Sequence, residues 1–413
     1  MLNWCNRFNI CSFLDSQQYN STHHSFECLL AAGALHTLTV DAGSNAFQQL
    51  QAFYEQHGDW LFGHLGYDLK NGLEPLHSNH TDRIGFPDLF FFVPQVVVQL
   101  NEQAMEMRIG SLQADHTIIY EQIIAAGAPV IKTDLPSLAI QARLNRDEYL
   151  HTIRQLQQHI LRGDCYEINY CQEFYAEEAV IDPLSVYLSL SAASPNPFAA
   201  FYKTGDRYLV CASPERYLKK EGDQLFSQPM KGTWQRDVLS QEADIRNRDL
   251  LYHSAKDRSE NVMVVDLVRN DLSKVCEEGS VQVDELFGVY SFPLVHQMVS
   301  TISGRLRKDV HFTAALRDTF PMGSMTGAPK RRVMELIEEY EQTKRGIFSG
   351  SVGYITPAGD FDFNVVIRSI LYNARDRYLS FQAGSGITFY SDPEAEYEEC
   401  LLKAAAIKKV LSG

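Results

Sequence analysis

The sequence predicts an α+β fold built on antiparallel-rich sheets, and three observations predict it. Short segments rich in aromatic and β-branched residues follow one another in meanders. Amphipathic helical stretches interrupt them singly, without the strict strand–helix alternation of a doubly wound parallel sheet. No internal repeat or low-complexity tract breaks up the 413 residues, 45% of which are apolar.

Taken in order, residues 60–67 (WLFGHLGY) and 90–98 (FFFVPQVVV) read as buried strands, with Gly63 and Gly66 marking a bend or a close backbone approach. Residues 133–140, with Pro136 inside, read as a junction, giving an N-terminal region over 1–140 and a second region over 141–413. A helix is predicted from Asn145, an N-cap type residue ahead of Arg146-Asp147-Glu148, to Leu161. Leu150, Ile153, Leu156 and Ile160 form its buried face. Residues 207–212 and 224–231 read as strands and 242–272 as one long charged helix. Residues 329–340 read as a shorter helix, and 349–355, 361–373 and 378–383 as strands. A last helix covers 394–411.

Composition excludes several functions. A formal net charge of −15 disfavours nucleic acid, which needs clustered Lys and Arg. It says nothing against small anions, which respond to the local field of a cleft. The eight cysteines form no CxxC pair, which argues against structural zinc and against a disulfide framework. The N-terminus MLNWCNRFNI lacks the pattern of a signal peptide, and the most apolar run, 89–98, is half the roughly 20 residues a membrane span needs. A soluble cytoplasmic protein with no membrane partner is expected.

Two groups of residues could carry chemistry. Glu396 and Glu399 are three apart on one helix face; with Glu260 they would supply the sparse carboxylate shell that Mg²⁺ accepts. An ExxE pair on an acidic surface helix is usually just a solvated face. Arg368 in an apolar strand, Lys403 seven residues after Glu396, and a Gly384-Ser385-Gly386 turn before the last helix suggest an anion pocket. A plain tight turn also explains the last of these. If the two strands on either side of residue 220 pair, Glu215 and Lys231 approach each other. A desolvated lysine has a lowered pKa and can act as a nucleophile, with a nearby carboxyl as general acid. A Glu–Lys cross-strand ion pair is the simpler alternative.

The motifs, in order, resemble those of the chorismate-utilising enzymes: SPER at 213–216, PMKGT at 229–233, KDRSEN at 256–261, DLVRNDL at 266–272, HQMVS at 296–300, MTGAPK at 325–330, IFSGSVGY at 347–354, IRS at 367–369, GSG at 384–386 and EYEECLLKA at 396–404. That family includes anthranilate synthase component I, aminodeoxychorismate synthase component I, and the isochorismate and salicylate synthases. The resemblance is dense over 144–408 and looser before it. It implies layered antiparallel sheets with helices outside.

Aminodeoxychorismate synthases usually carry lysine in a PxKGT motif where anthranilate synthases have alanine; here it is Lys231. The resemblance therefore implies amination of chorismate at C4 to 4-amino-4-deoxychorismate, for 4-aminobenzoate and folate synthesis. In that chemistry the Lys231 amine attacks C2 while Glu215 helps expel the C4 hydroxyl, and ammonia then adds at C4 and displaces the lysine. It further implies that Glu260, Glu396 and Glu399 hold Mg²⁺. Arg368, Lys403, Gly384, Ser385 and Gly386 would clamp a carboxylate, His296 would stand near the reacting ring, and Thr326 would line the pocket.

Water-adding relatives place a lysine base where this chain has Glu167, and ammonia-using relatives usually place glutamine there, so Glu167 departs from both patterns. Phe348 falls where some relatives have tyrosine. No cysteine lies in a Gly-x-Cys-x-Gly elbow, so a separate glutaminase subunit is expected to supply the ammonia. Family members also keep a tryptophan pocket, whose counterparts here would be residues 13–16 and 194–198. The competing readings are anthranilate synthase component I and a catalytically silent amino-acid-binding subunit.

Overall fold

The computed structural model describes residues 1–413 apart from 20–25, 42–44, 102–103, 113, 133–136, 293–294 and 413. Residues 133–136 of the expected junction therefore lie outside the described residues. Strands and helices alternate irregularly along the chain, and every strand pairing among the described residues is antiparallel. The chain has the α+β architecture expected of it.

Strand alternation explains how the sheet is buried. Successive side chains point to opposite faces, and here each face meets its own apolar core. In Arg207–Ser213, Leu209 and Cys211 enter one core while Val210 and Ala212 enter the other. Cys28–Val40 and Ser369–Asn373 divide in the same way. A sheet covered on both sides reads as continuous apolar runs, which accounts for FFFVPQVVV within Leu89–Asn101. The outer layers are helices: Ala255–Ser273 packs Val264, Val265 and Val268 into the first core, and Pro393–Ser412 packs Cys400, Ala404 and Ile407 into the second.

The N-terminal strands belong to the same hydrogen-bonded sheet as the later ones. Leu61–Leu65 pairs with Ser351–Ile355, and Ile10–Asp15 with Phe198–Thr204. Arg146–Leu161 begins at Asn145 with a capping box completed by Glu148, as its sequence predicts.

Four expectations are corrected. The long helix over 242–272 is two helices, Gln241–His253 and Ala255–Ser273. Ser254 ends the first and its side chain caps the second. The hairpin around residue 222 is made by Arg216–Glu221 and Gln224–Gln228, not by the strand at 207–212, and Pro229 separates it from Met230–Gln235. Gly384-Ser385-Gly386 is not a turn: Tyr378–Thr388 runs unbroken beside Glu167–Ala176. Arg368 lies between two strands, Phe361–Asn364 and Ser369–Asn373, with a left-handed φ of 51° immediately before the second. The eight cysteines are all buried. Among the described residues no helix is long and apolar enough to cross a membrane.

Candidate active site

The strand Glu167–Ala176 carries Glu167 at its first position, held by Ala328 on one side and Thr388 on the other. Met230–Gln235 brings Lys231 to it, and the Lys231 ammonium donates to Glu167 Oε1 at 2.7 Å. Gly386 makes this contact possible. A Cβ there would lie 2.6 Å from Lys231 Nζ and 2.7 Å from Glu167 Oε1. Gly384 instead lets two strands touch, since its Cβ would meet the Tyr170 carbonyl at 1.8 Å. Ser385 is buried between them and, by strand alternation, faces away from Lys231.

Glu215 is buried, and burial pushes its carboxyl up to about 7 against the pull of Ser324, Lys231, Arg368 and Lys403. The structure thus places Glu215 in the field of Lys231, by way of the strand break at Pro229 and not by a cross-strand pair. The Arg368 guanidinium is pulled down to about 10 by burial, with Glu215 opposing. Lys403 donates to Glu399 at 2.8 Å and to the Gly384 carbonyl at 2.9 Å. The expected lowering of the Lys231 pKa is overturned. Burial alone would lower it, but Glu167, Glu260 and Glu399 together outweigh burial and hold the ammonium above its ordinary range.

Glu260 comes from Ala255–Ser273, Glu396 and Glu399 from Pro393–Ser412. As the side chains stand, no three acidic, histidine or cysteine groups among the described residues converge as metal ligands. The cation that stands among the three is Lys256. Its ammonium lies 3.0 Å from Glu396, 3.8 Å from Glu260 and 4.0 Å from Glu399. It is a resident cation among the three carboxylates. One oxygen each of Glu260 and Glu396 is buried without a hydrogen-bond partner, and burial raises Glu260 to about 7 against Lys231 and Lys256. Hard oxygen donors with unused acceptors around a monovalent cation fit Mg²⁺.

Besides Ser385, two expected residues are not brought into this group. Both ring nitrogens of His296 are engaged elsewhere, Nδ1 with Ser291 at 2.9 Å and Nε2 with Asp244 at 3.0 Å. That ring anchors the helix Gln241–His253 to the strand Val295–Arg305 and touches none of the groups around Lys231. Its neighbour Gln297 donates to Thr233 at 3.3 Å and keeps a buried, unpartnered Oε1. Thr326 is fully buried and donates to the Met322 and Gly323 carbonyls, so it shapes the turn that presents Ser324 to Glu215.

Sequence reasoning missed Lys256, although its i,i+4 spacing to Glu260 signals a shared helix face. It also missed the buried Glu341–Arg345 pair. Arg345 donates to the Met325 and Asn169 carbonyls and Glu341 accepts from the Cys171 amide, tying the Ser324 turn to the Glu167 strand. Its i,i+4 spacing is the same signal, but both residues fall after the helix Lys330–Tyr340. The segments proposed for a tryptophan pocket do meet: Asp15, Ser16, Pro197 and Phe198 line a small cavity of ≈50 Å³.

A family model described as chorismate binding enzyme matches residues 12–409. The chain belongs to that family. Aminodeoxychorismate synthase component 1 of Klebsiella aerogenes is 35% identical over 394 residues, spanning 94% of this chain and 86% of that protein. The protein of the same name from Salmonella typhimurium is 36% identical over 380 residues, 90% and 83% of the two chains. Anthranilate synthase component I from Streptococcus pneumoniae is similar in structure, with a TM-score of 0.80, 25% identity and 95% of each chain covered. The menaquinone-specific isochorismate synthase of Escherichia coli shares the fold at a TM-score of 0.77 and 19% identity, covering 99% of this chain and 91% of that one. This member of the chorismate-binding family is a chorismate-utilising enzyme.

Proposed function

We propose that the chain aminates chorismate at C4 with ammonia to give 4-amino-4-deoxychorismate. The observation that carries this reading is Lys231, a buried amine in the field of a carboxyl, Glu215, that sits near 7. Loss of hydroxide from C4 needs a proton donor, and a carboxyl at this value is partly protonated at neutral pH. The Lys231 amine forms a bond to C2 as the C4–oxygen bond breaks, and Glu215 delivers its proton to the departing water. Ammonia then attacks C4 and returns the electron pair to the lysine nitrogen. Two allylic displacements give net retention at C4.

Chorismate is a dianion, so the site needs cations against its carboxylates. The Arg368 guanidinium has no hydrogen bond or ion pair among the described residues and can take one carboxylate. Lys403 lies at the start of the same wall, on Gly384. Glu260, Glu396 and Glu399 would hold Mg²⁺, which when bound would offset the second carboxylate and the glutamates themselves.

The ammonia would come from a separate glutaminase subunit, and release of pyruvate to give 4-aminobenzoate for folate synthesis would fall to another enzyme. Support for the partner is the "component 1" name of the relatives. Incubation with chorismate, Mg²⁺ and ammonium, with the product read by mass and fluorescence, tests the reading. Formation of 4-amino-4-deoxychorismate is expected; anthranilate with released pyruvate would overturn it.

A further inference from the structure

We infer that Glu167 is the base that takes the proton from Lys231 before the lysine attacks the substrate. The inference rests on the covalent role given to Lys231 above. An ammonium has no lone pair, so a nucleophilic Lys231 must first pass its proton to an acceptor. Among the described residues, Glu167 is the acceptor within hydrogen-bond distance, at 2.7 Å; Glu260 and Glu399 act on Lys231 only through space.

Glu167 is built for the task in three ways. Its side chain is 3% exposed, so bulk water does not compete for the transfer. Its backbone is fixed from both sides, against Ala328 and Thr388. Its second oxygen, Oε2, is buried with no hydrogen-bond partner, so the carboxylate is not saturated by the scaffold. Gly386 leaves the Glu167–Lys231 contact open where any side chain would collide with both groups.

The proton balance closes. The Lys231 ammonium gives one proton to the Glu167 carboxylate, leaving a neutral amine and a neutral carboxylic acid. Burial of two charges is costly, so exclusion of water favours this neutral pair. The amine forms its bond to C2, the C4–oxygen bond breaks, and Glu215 supplies the proton that makes the leaving group water. Ammonia attacks C4, the C2–nitrogen bond breaks, and the electron pair returns to the lysine. The new C4 ammonium gives a proton back to Glu215, and Glu167 returns its proton to Lys231. The sum is chorismate plus ammonia giving 4-amino-4-deoxychorismate plus water.

The test compares Glu167→Gln, Glu167→Asp, Lys231→Ala and the parent, with free ammonia held constant while pH is varied. Glutamine keeps an acceptor for Lys231 but cannot take a proton. Glu167→Gln is expected to fall by about 10²-fold or more at neutral pH. The ratio of its rate to the parent's is expected to rise about tenfold per pH unit as solvent takes over deprotonation of Lys231. Glu167→Asp, which keeps a carboxylate, is expected to hold a flat ratio. It guards against reading a folding defect as a lost base. A Glu167→Gln variant with the parent's rate and pH profile, beside a slow Lys231→Ala, would overturn this inference alone. A Lys231→Ala variant at the parent's rate would overturn the covalent reading and this inference with it.

Discussion

Two buried carboxylate–cation pairs lean on the same strand, Glu167–Ala176, and they are built differently. In the Glu341–Arg345 pair every partner is used. Both Glu341 oxygens accept from the guanidinium, at 2.6 and 2.9 Å, and Oε1 also takes the Cys171 amide. Arg345 adds the Met325 and Asn169 carbonyls and the Ser349 hydroxyl. In the Glu167–Lys231 pair there is one hydrogen bond, and Glu167 Oε2 has none. A saturated pair fixes geometry; an unsaturated one holds reactivity in reserve. The first locks the strand so that the second can present its groups to a substrate.

Substitutions that treat the two pairs alike would break this comparison. Lys231→Ala is expected to lower amination on the order of 10³-fold or more, with a residue of direct ammonia addition, measured as initial rate at saturating ammonium. Arg345→Met is expected to cost about 3–5 kcal/mol of folding stability, because it leaves Glu341 buried and charged without its partner. Chemical denaturation measures that cost. Activity per folded molecule should change far less than for Lys231→Ala.

The third prediction concerns pH. Glu215 and Glu260 both sit near 7 when folded, against 4.5 as the ordinary value. A group whose folded value is raised contributes stability below its unfolded value and loses it as pH rises through the folded one. The substrate-free protein should therefore lose stability between about pH 4.5 and 7, by roughly 1–3 kcal/mol for Glu215. Glu215→Gln should flatten that slope, as read by melts across the range.

The remaining two predictions sharpen the role of the carboxylates beyond the pair. Glu399→Gln is expected to weaken Mg²⁺ binding by about tenfold or more, measured by calorimetry in the presence of chorismate. Lys256→Met removes the ammonium that lies among the same carboxylates and is half-exposed, so Mg²⁺ should bind up to about fivefold tighter. Equal titrations for variant and parent would deny Lys256 its part as a resident cation.

Local features were legible in the sequence. Asn145 and Glu148 announced a capped helix, and that helix starts where they stand. The antiparallel fold followed from the meandering apolar segments. Features set by distant partners were not legible. Gly384 and Gly386 read as a turn because glycine usually marks one; here each permits a close approach by a residue more than 150 positions away. His296 read as a site residue, but its orientation depends on Asp244, 52 residues earlier. Arg345 stands in a charged QTKRG stretch that carries no reading of its own, and only the folded chain brings Asn169 and Met325 to it.

The central claim is that the nitrogen of Lys231 bonds to the substrate. Rapid quenching of the enzyme with chorismate and Mg²⁺ in the absence of ammonia, followed by peptide mass mapping, tests it directly. The account predicts that the peptide containing Lys231 gains the mass of chorismate less one water. An unmodified Lys231 peptide from enzyme that makes 4-amino-4-deoxychorismate at full rate once ammonia is added would contradict it.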